Sequence, residues 1–416
     1  MSAVDYNRCI RCGLCLQTCP TYLETMTETS GPRGRISLIK SVAEGGLDLT
    51  SPGFLHQMSE CLDCRACEAV CPSGVPYGRL LEDARAQIQE ERAPSQDART
   101  RFGRWLVFQQ LFAKPSLFRA AASLVRFAQR TGLDGLASVF GLGDAAKLAP
   151  RISSRFFLAD GRRIEARDAV GTAFLHVGCI MPVAFPQVHD AAVRMLVRGG
   201  LNVVVPAAQG CCGAIAIHAG EPDVSRELAR KNIVAFEDSG ADVYVVDAAG
   251  CGSMLKEYAD LFTGDPAWHE RARRFSSRVR DVTEVLDGLE LDDRVGRIDA
   301  DVTYQEPCHL AHAQRVTAAP RRLLGKIPGL RLVEMNESAV CCGSAGVYNL
   351  TQPDMAGRLQ RRKVENIRET GADIVATANP GCAMQVAAGL RADGSDARVA
   401  HVVELLDEAY AAYQPL

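Results

Sequence analysis

The sequence predicts an α/β protein in which a helical, cysteine-bearing N-terminal domain precedes a pair of duplicated parallel α/β lobes. Three features support this fold class: two identical cysteine runs near the N-terminus, a basic aromatic stretch after them, and an internal repeat of about 130 residues in the second half. The expected boundaries are 1–92 for the N-terminal domain, 93–168 for a helical linker, 169–295 for the first lobe and 296–416 for the second.

Composition narrows the class of protein. The chain has 416 residues, of which 47% are apolar and 23% charged, and its net charge of −3 gives no pull toward nucleic acid. No apolar run reaches the ~18 residues of a spanning helix, and the first residues lack the plan of a signal peptide. We therefore expect a cytoplasmic protein, where its 16 cysteines would stay reduced and bind metal rather than form disulfides.

The two N-terminal runs share one spacing, C-x2-C-x2-C-x3-C-P. They comprise Cys9, Cys12, Cys15 and Cys19, and then Cys61, Cys64, Cys67 and Cys71. Three thiolates on one tight loop can hold three irons of a cubane cluster. Zinc is the alternative, but zinc sites usually use two separated C-x2-C pairs.

This run resembles that of bacterial two-cluster ferredoxins, which hold two [4Fe–4S] clusters. The resemblance implies crossed ligation, because the fourth cysteine of each run reaches the other cluster. One cluster would take Cys9, Cys12, Cys15 and Cys71, and the other would take Cys61, Cys64, Cys67 and Cys19.

The segment between the runs predicts a helix that starts after a Gly-Pro-Arg-Gly turn. Its apolar positions are Ile36, Leu38, Ile39 and Val42. Arg33 and Arg35 at its start could donate to cluster sulfurs, meet an acidic partner, or be solvated.

Residues 98–133 carry seven basic residues, no acidic residue, and many interleaved aromatic and aliphatic side chains. Such a stretch can lie on an anionic membrane surface, pack on a partner subunit, or fold back on its own domain. Pro94, Pro115 and the run GLGDAAKLAPR at 141–151 punctuate this region of the chain and predict a boundary near 150–170.

The second half repeats a cysteine pattern at offsets of 129, 130 and 131 residues. The first unit has Cys179, Cys211, Cys212 and Cys251, and the second has Cys308, Cys341, Cys342 and Cys382. Short β runs alternate with helical patterns in both units, which predicts two parallel α/β lobes with each cysteine at a strand end or in the following loop. The repeated helices are expected at 221–239 and 353–370.

The pattern C-x31-CCG-x37-C in the first unit and C-x32-CCG-x38-C in the second, after a two-cluster run, resembles the CCG-domain proteins. Four segments are similar to the glycolate oxidase iron–sulfur subunit family: GPRGRISLIK, CLDCRACEAVCPSGVPY, GCGSMLKEY and CCGSAGVYNLTQPDMAGRL. Met254 and Gln385 replace the last cysteine of the full motif of heterodisulfide reductases. Each unit could therefore hold one further four-iron cluster, or its four thiols could be a buried remnant.

The resemblance implies an electron-transfer subunit of a glycolate oxidase or dehydrogenase complex, which converts glycolate to glyoxylate. No phosphate or dinucleotide motif is visible, so FAD-containing partner subunits would oxidise the substrate and this chain would pass electrons toward a quinone or other acceptor. The chain could contact the inner face of the cell membrane peripherally. Alternatives are a lactate or anaerobic glycerol-3-phosphate dehydrogenase subunit, a heterodisulfide-reductase-like catalyst, and a redox sensor.

Overall fold

The computed structural model of the protein describes residues 3–133, 135 and 149–413. The expected breakpoint at 141–151 therefore lies mostly outside the described residues. The N-terminal domain is helical, and its helices are α1 Ala3–Asn7, α2 Pro20–Thr25, α3 Pro32–Ala43, α4 Pro52–Glu60, α5 Ala66–Ala69 and α6 Tyr77–Arg92.

Helix α3 confirms the helix predicted between the cysteine runs, but it begins inside the Gly-Pro-Arg-Gly turn rather than after it. Proline suits the first helical position because its missing N–H has no intrahelical partner there, so Pro32 starts the helix. Ile36 and Ile39 are buried against α4 and α6 in the domain's core. Gly34 could not become alanine, because an added Cβ would lie 2.0 Å from the carbonyl oxygen of Glu28.

The linker runs along the molecule as α7 Ala98–Arg104, a π-helical stretch Trp105–Phe112 and α8 Pro115–Thr131. Only part of it packs inward: Phe108 and Ala122 are buried, and Arg104 donates to Glu221 at 2.6 Å. Phe102, Leu124 and Phe127 are 59%, 72% and 60% exposed. Internal packing thus accounts for one face of the linker and leaves an apolar, basic face in solvent.

The first repeat unit contains a sheet of five strands in the order β1-β3-β2-β4-β5. These strands are β1 Arg163–Ile164, β2 Gly171–Leu175, β3 Leu201–Val204, β4 Val243–Val246 and β5 Val279–Asp281. Only β1 is antiparallel, and the parallel register pairs Ala173 with Val203 and Phe174 with Tyr244. The unit's helices are α9 Met181–Ala184, α10 Pro186–Arg198, α11 Ala214–His218, α12 Pro222–Ser239, α13 Ala249–Lys256, α14 Pro266–Ser276 and α15 Val282–Asp287.

The second repeat unit contains a parallel sheet in the order β7-β6-β8-β9, which reproduces the order β3-β2-β4-β5 of the first. Its strands are β6 Ala300–Tyr304, β7 Leu330–Leu332, β8 Ile374–Thr377 and β9 Arg398–His401. Its helices are α16 Ala318–Gly325, α17 Tyr348–Thr351, α18 Pro353–Thr370, α19 Pro380–Asp393 and α20 Val402–Ala411. The predicted duplicated parallel α/β lobes are confirmed.

The two units share one hydrophobic core, which extends from Leu175 in the first to Leu406 in the second. Helix α10 of the first unit packs against α20 of the second, and α15 of the first packs against α16 of the second. Each of these helix pairs also carries an ion pair between the units: Arg194 binds Asp407 at 2.6 Å, and Arg322 binds Asp287 at 3.0 Å. The contact between units is therefore reciprocal.

Every helix in the described part of the chain is too short or too polar to cross a lipid bilayer.

Candidate iron–sulfur sites

The two N-terminal cysteine loops adopt the same backbone shape. Arg11 and Asp63 precede the second cysteine of their runs and have φ of 58° and 54°; Gly13 and Arg65 follow it with φ of 87° and 60°. Left-handed conformations are costly for residues other than glycine and persist where the surroundings impose them. These turns coil each loop tightly.

The structure brings Cys9, Cys12, Cys15 and Cys71 together around one small cavity of 30 Å³, which Cys67 also lines. We call these residues the exposed N-terminal set, because Cys12 is exposed and the other three are partly buried. Burial, followed by the charges of Cys9 and Cys12, raises the pKa of Cys15 to about 11. The backbone N–H of Val75 donates to Cys71 Sγ at 3.5 Å.

The remaining four N-terminal cysteines form the buried N-terminal set: Cys19, Cys61, Cys64 and Cys67. Burial raises the pKa of Cys67 well above its ordinary value, and the neighbouring Cys64 and Cys61 raise it further. Tyr77 Oη and the Asp63 N–H each donate to Cys61 Sγ at 3.5 Å, and Thr21 Oγ1 lies 3.3 Å from Cys19 Sγ. Donors aimed at sulfur tune a cluster's potential.

Arg35, for which the sequence left three roles open, is buried beside this set. It donates to Glu60 Oε2 and Thr21 Oγ1 at 3.0 Å and to the Gln57 carbonyl at 2.9 Å. It also lowers the pKa of Cys19, although burial outweighs this effect. Arg33 instead pairs with Glu28 at 2.6 Å on the surface.

In the first unit, Cys179, Cys211, Cys212 and Cys251 form the first-unit set. Cys179 Sγ lies 3.7 Å from Cys211 Sγ, and Cys212 contacts both Cys211 and Cys251. The loops at the ends of β2 and β3 carry the first three residues, as predicted for the carboxyl edge of a parallel sheet. Cys251 departs from this prediction, because it lies in the first turn of α13 rather than in a loop.

His176, which follows strand β2, lies beside the first-unit set. Its Nδ1 lies 2.7 Å from Tyr244 Oη, while its buried Nε2 has no oxygen or nitrogen partner and the ring lies against Cys251. Contact with Cys212, partly opposed by burial and assisted by His176, lowers the pKa of Cys251 to about 6.

In the second unit, Cys308, Cys341, Cys342 and Cys382 form the second-unit set. Cys341 contacts Cys308 and Cys342, and Cys342 contacts Cys382. Cys382 lies in the first turn of α19, where Asn379 Nδ2 donates to its sulfur at 3.5 Å. Contact with Cys342, followed by burial, raises the pKa of Cys382 well above its ordinary value.

A buried lysine accompanies the second-unit set. Lys363 is 2% exposed, its Nζ donates to the carbonyls of Glu337 and Ser338 at 2.6 and 3.1 Å, and its charge acts on Cys342, Cys341 and Cys382. Desolvation nevertheless lowers the pKa of Lys363. The sequence alone did not single out Lys363. The alignment of the two repeats could have indicated it, because Lys363 occupies the position of Asn232 in the first unit.

The donor chemistry of all four sets fits iron–sulfur clusters. Closely packed buried thiols cannot all ionise without a cation to neutralise them, and iron supplies that cation when thiolates ligate it. Crossed ligation of the two N-terminal sets stays a prediction, and N–H and O–H donors lie at sulfurs of both sets.

The N-terminal domain docks on both units through a charged cluster inside its second cysteine loop. Arg65 pairs with Asp63 at 2.9 Å, with Glu82 at 3.2 Å and with Glu257 of the first unit at 3.4 Å. His218 of the first unit lies 3.2 Å from Asp63 Oδ2, and His309 Nε2 of the second unit donates to the Asp63 carbonyl at 2.8 Å. Asp63, Glu82 and His218 could hold a metal by distance, but the Arg65 guanidinium already supplies the positive charge.

This docking places the second-unit set beside the buried N-terminal set. Burial and then the charge of Cys308 raise the pKa of Cys64, so these two thiols are electrostatic neighbours. Leu62, Cys64 and Ala66 pack in one cluster with Cys341 and Tyr348, and Tyr348 Oη donates to the Glu60 carbonyl at 2.8 Å. A cavity of 330 Å³ separates the first-unit set from the second-unit set and is lined by cysteines of both.

Comparisons with known proteins follow this organisation. A 4Fe–4S dicluster domain matches residues 5–75, the linker region of the glycolate oxidase iron–sulfur subunit matches 99–152, and a cysteine-rich CCG domain matches 173–256 and 302–387.

Relatives extend over nearly the whole chain. The "Probable glycolate oxidase iron-sulfur subunit" of Bacillus subtilis (strain 168) is 37% identical, with 98% of this chain and 95% of the relative covered. The "Glycolate oxidase iron-sulfur subunit" of Escherichia coli (strain K12) is 32% identical, with 96% and 93% covered. "Lactate utilization protein A" of Exiguobacterium sp. (strain ATCC BAA-1283 / AT1b) is 32% identical over 56% of this chain.

Proposed function

Because this chain belongs to the family of glycolate oxidase iron–sulfur subunits, we propose that it carries electrons within a complex that oxidises glycolate to glyoxylate. FAD-containing partner subunits would oxidise the substrate, and this chain would accept the electrons and deliver them toward a quinone. Its own residues hold the clusters, set their spacing and exclude water from the buried ones.

One observation carries this proposal: the cysteine sets form a series that leads from the surface to the interior. The exposed N-terminal set opens to solvent at Cys12, the buried N-terminal set lies behind it, and Cys64 of the latter neighbours Cys308 of the second-unit set. When bound, iron–sulfur clusters accept and donate single electrons. Such a series suits a carrier between a two-electron flavin and a distant acceptor.

We place the flavoprotein contact at the exposed N-terminal set. Ile10 and Leu14 flank Cys12 and are 68% and 47% exposed, so they present apolar surface beside this set. Arg8 and Arg11 add positive charge to the same loop. An apolar partner surface with an acidic rim would match this loop and would bring its flavin near the first electron-accepting set.

The alternative of a heterodisulfide-reductase-like catalyst receives less support. Met254 is buried in the first unit's core, and the buried Gln385 donates to the Ala356 carbonyl at 3.4 Å. Both positions that would carry a fifth thiol are thus occupied by side chains with packing roles. Because lactate utilization proteins match part of this chain, the activity test below compares lactate with glycolate as the 2-hydroxy acid.

The test is a complex purified anaerobically with its partner subunits and mixed with glycolate or, separately, with lactate. With glycolate we expect flavin bleaching followed by reduction of iron–sulfur signals. Cys64→Ser should leave flavin bleaching intact and stop electron delivery to an added quinone. Quinone reduction at the wild-type rate by a Cys64→Ser complex that has lost this cluster would contradict the proposal.

The docking face has a matched control within the chain. Ile10→Asp should weaken binding of the flavoprotein subunits roughly tenfold. Val170→Asp changes an apolar residue that is 77% exposed far along the chain and should leave binding unchanged. Equal effects of the two substitutions in a pull-down titration would remove this surface from consideration.

A further inference from the structure

A cavity of 620 Å³ lies where all four parts of the molecule meet. Helices α4 and α6 of the N-terminal domain form one wall, and the linker from Gly103 to Phe108 forms another. Ile215 and His218 of the first unit and residues 345–348 of the second complete it. The volume lies within the usual range for small-molecule sites, about 300–1,000 Å³.

The inner end of this cavity touches Cys61, a member of the buried N-terminal set. Arg85 lies there, and its guanidinium donates to the carbonyls of Cys61 at 2.6 Å and Met58 at 2.9 Å, and to that of His218 at 3.3 Å. These contacts fix a positive charge between the cysteine loop and the cavity. A molecule in the cavity would thus lie beside both a proposed cluster ligand and an oriented cation.

The lining combines apolar walls with cationic groups. Apolar side chains such as Leu55, Val107 and Phe108 form the walls. Among the basic side chains, Arg104, His56 and His218 already face carboxylates, whereas Arg85 and Arg92 have no carboxylate partner among the described residues. None of the described residues that line the cavity is an aspartate or glutamate. This chemistry suits a flat apolar ring with carbonyl oxygens that gain negative charge on reduction, because fixed cations stabilise such charge.

The linker supplies a route for an apolar tail. Its inner face lines the cavity at Val107 and Phe108, while Phe102 and Trp105 on the same segment are 59% and 43% exposed. The stretch 98–133 carries seven basic and no acidic residues. Basic, aromatic-rich helical surfaces bind anionic lipid headgroups, so this segment would place the cavity's outer wall at a membrane surface.

We propose that this cavity binds the ring of a lipid-soluble quinone, with its tail leaving along the linker. The proposal rests on the proposed electron-carrying function and names its acceptor site. Reduction of one quinone to quinol takes two electrons, which reach the ring through the site of Cys61, and two protons, which come from water. The electrons originate in oxidation of the 2-hydroxy acid by the flavoprotein partner.

The test measures binding directly, with the intact cluster-loaded chain and a photoreactive azido-benzoquinone that carries a ten-carbon tail. Illumination followed by peptide mapping should place the label on α4, α6 or residues 103–108. Competition with the unmodified quinone should remove it. Val347→Trp would fill the cavity from the second unit and should reduce labelling roughly tenfold, with iron content unchanged.

Two further variants make the result decisive. Leu55→Trp fills the same cavity from α4 and covers the case in which Val347→Trp fails to fold. Val170→Trp makes the same change as Val347→Trp at an exposed site outside the cavity and should label like the wild type. Label that maps elsewhere, or that survives both cavity-filling substitutions, would overturn the proposal.

The same preparations separate this inference from the proposed function. If glycolate and the partner subunits reduce the clusters but the cavity takes no label, only the quinone site is wrong. If the cavity takes label but glycolate never reduces the clusters, the carrier function fails and the binding site stands.

Discussion

The two repeat units share a sheet order and a cysteine frame, yet they surround their thiols with different charges. At one repeat position, the first unit has Asn232, whose Nδ2 donates to the Cys211 carbonyl at 2.9 Å, and the second has Lys363. At another, His176 of the first unit lies against Cys251, while the second has Gln305, which bonds to Thr377 at 2.7 Å.

The two units thus keep the same cysteine positions but differ in the charged and polar side chains around them. A fixed positive charge stabilises the reduced form of a cluster, so the second unit should hold the more easily reduced one. The second unit is also the one whose Cys308 neighbours Cys64. We therefore expect the second-unit set, rather than the first-unit set, to exchange electrons with the buried N-terminal set, and four experiments can break or sharpen this comparison.

The largest effect is expected from removing one ligand in each unit. Both N-terminal sets together should hold about eight irons, and the intact chain should exceed that number. Cys342→Ser and Cys212→Ser should each lose part of the excess, but only Cys342→Ser should also remove a cluster that exchanges electrons with the buried N-terminal set. Iron analysis and the extent of cluster reduction by glycolate check this; a chain that holds only eight irons, with both variants reduced to the wild-type extent, would show that the two units serve as scaffold.

An exchange at the Asn232 and Lys363 positions should give the next largest effect. Lys363→Asn leaves the Glu337 and Ser338 carbonyls without their donor and should cost about 2–4 kcal/mol of unfolding free energy. It should also lower the reduction potential of a cluster in the second unit. Asn232→Lys should raise the potential in the first. Redox titration of both variants checks the sign, and unchanged potentials would show that Lys363 is structural only.

The two histidines that meet Asp63 should respond to pH in opposite directions. Burial lowers the pKa of His218, but Asp63 and Glu82 outweigh it and raise the pKa to about 9. Burial lowers the pKa of His309 to about 4. His218 therefore adds stability that is complete below pH 6.5 and disappears as pH rises through about 9, whereas His309 costs stability as pH falls from 6.5 toward 4.

Thermal unfolding measured anaerobically across pH tests this contrast. His218→Gln should abolish the loss of stability between pH 6.5 and about 9, on the order of 2 kcal/mol, because that variant carries no proton there. His309→Gln should leave the alkaline limb unchanged and flatten the acid limb. An unaltered alkaline limb in His218→Gln would assign that limb to another group.

The smallest effect is expected from a pair of buried tyrosines. Tyr348 of the second unit donates to the Glu60 carbonyl at 2.8 Å, across to the N-terminal domain, and Tyr258 of the first donates to the Cys212 carbonyl at 2.8 Å. Each Tyr→Phe change should cost about 1 kcal/mol. Only Tyr348→Phe should increase hydrogen exchange at the domain junction, and equal exchange in both variants would show that this contact does not hold the domains together.

The sequence predicted the features that local pattern controls. The spacing of the cysteine runs indicated their loops, and the repeat indicated both sheets, because parallel strands place equivalent residues at equivalent edges. The helical positions of Cys251 and Cys382 escaped prediction, since the chain turns directly from strand to helix there. Arg65, His218 and Lys363 escaped too, because their partners lie far away in sequence and only tertiary docking brings them close.

The reciprocal contact between the units has a consequence for how such a chain arose. When α10 meets α20 while α15 meets α16, equivalent elements exchange partners, as in an isologous dimer with a two-fold axis. A single ancestral unit would have exposed that apolar face and would have paired with a copy of itself. Identical subunits must share every substitution, whereas two halves of one chain can differ, as they do at Asn232 and Lys363.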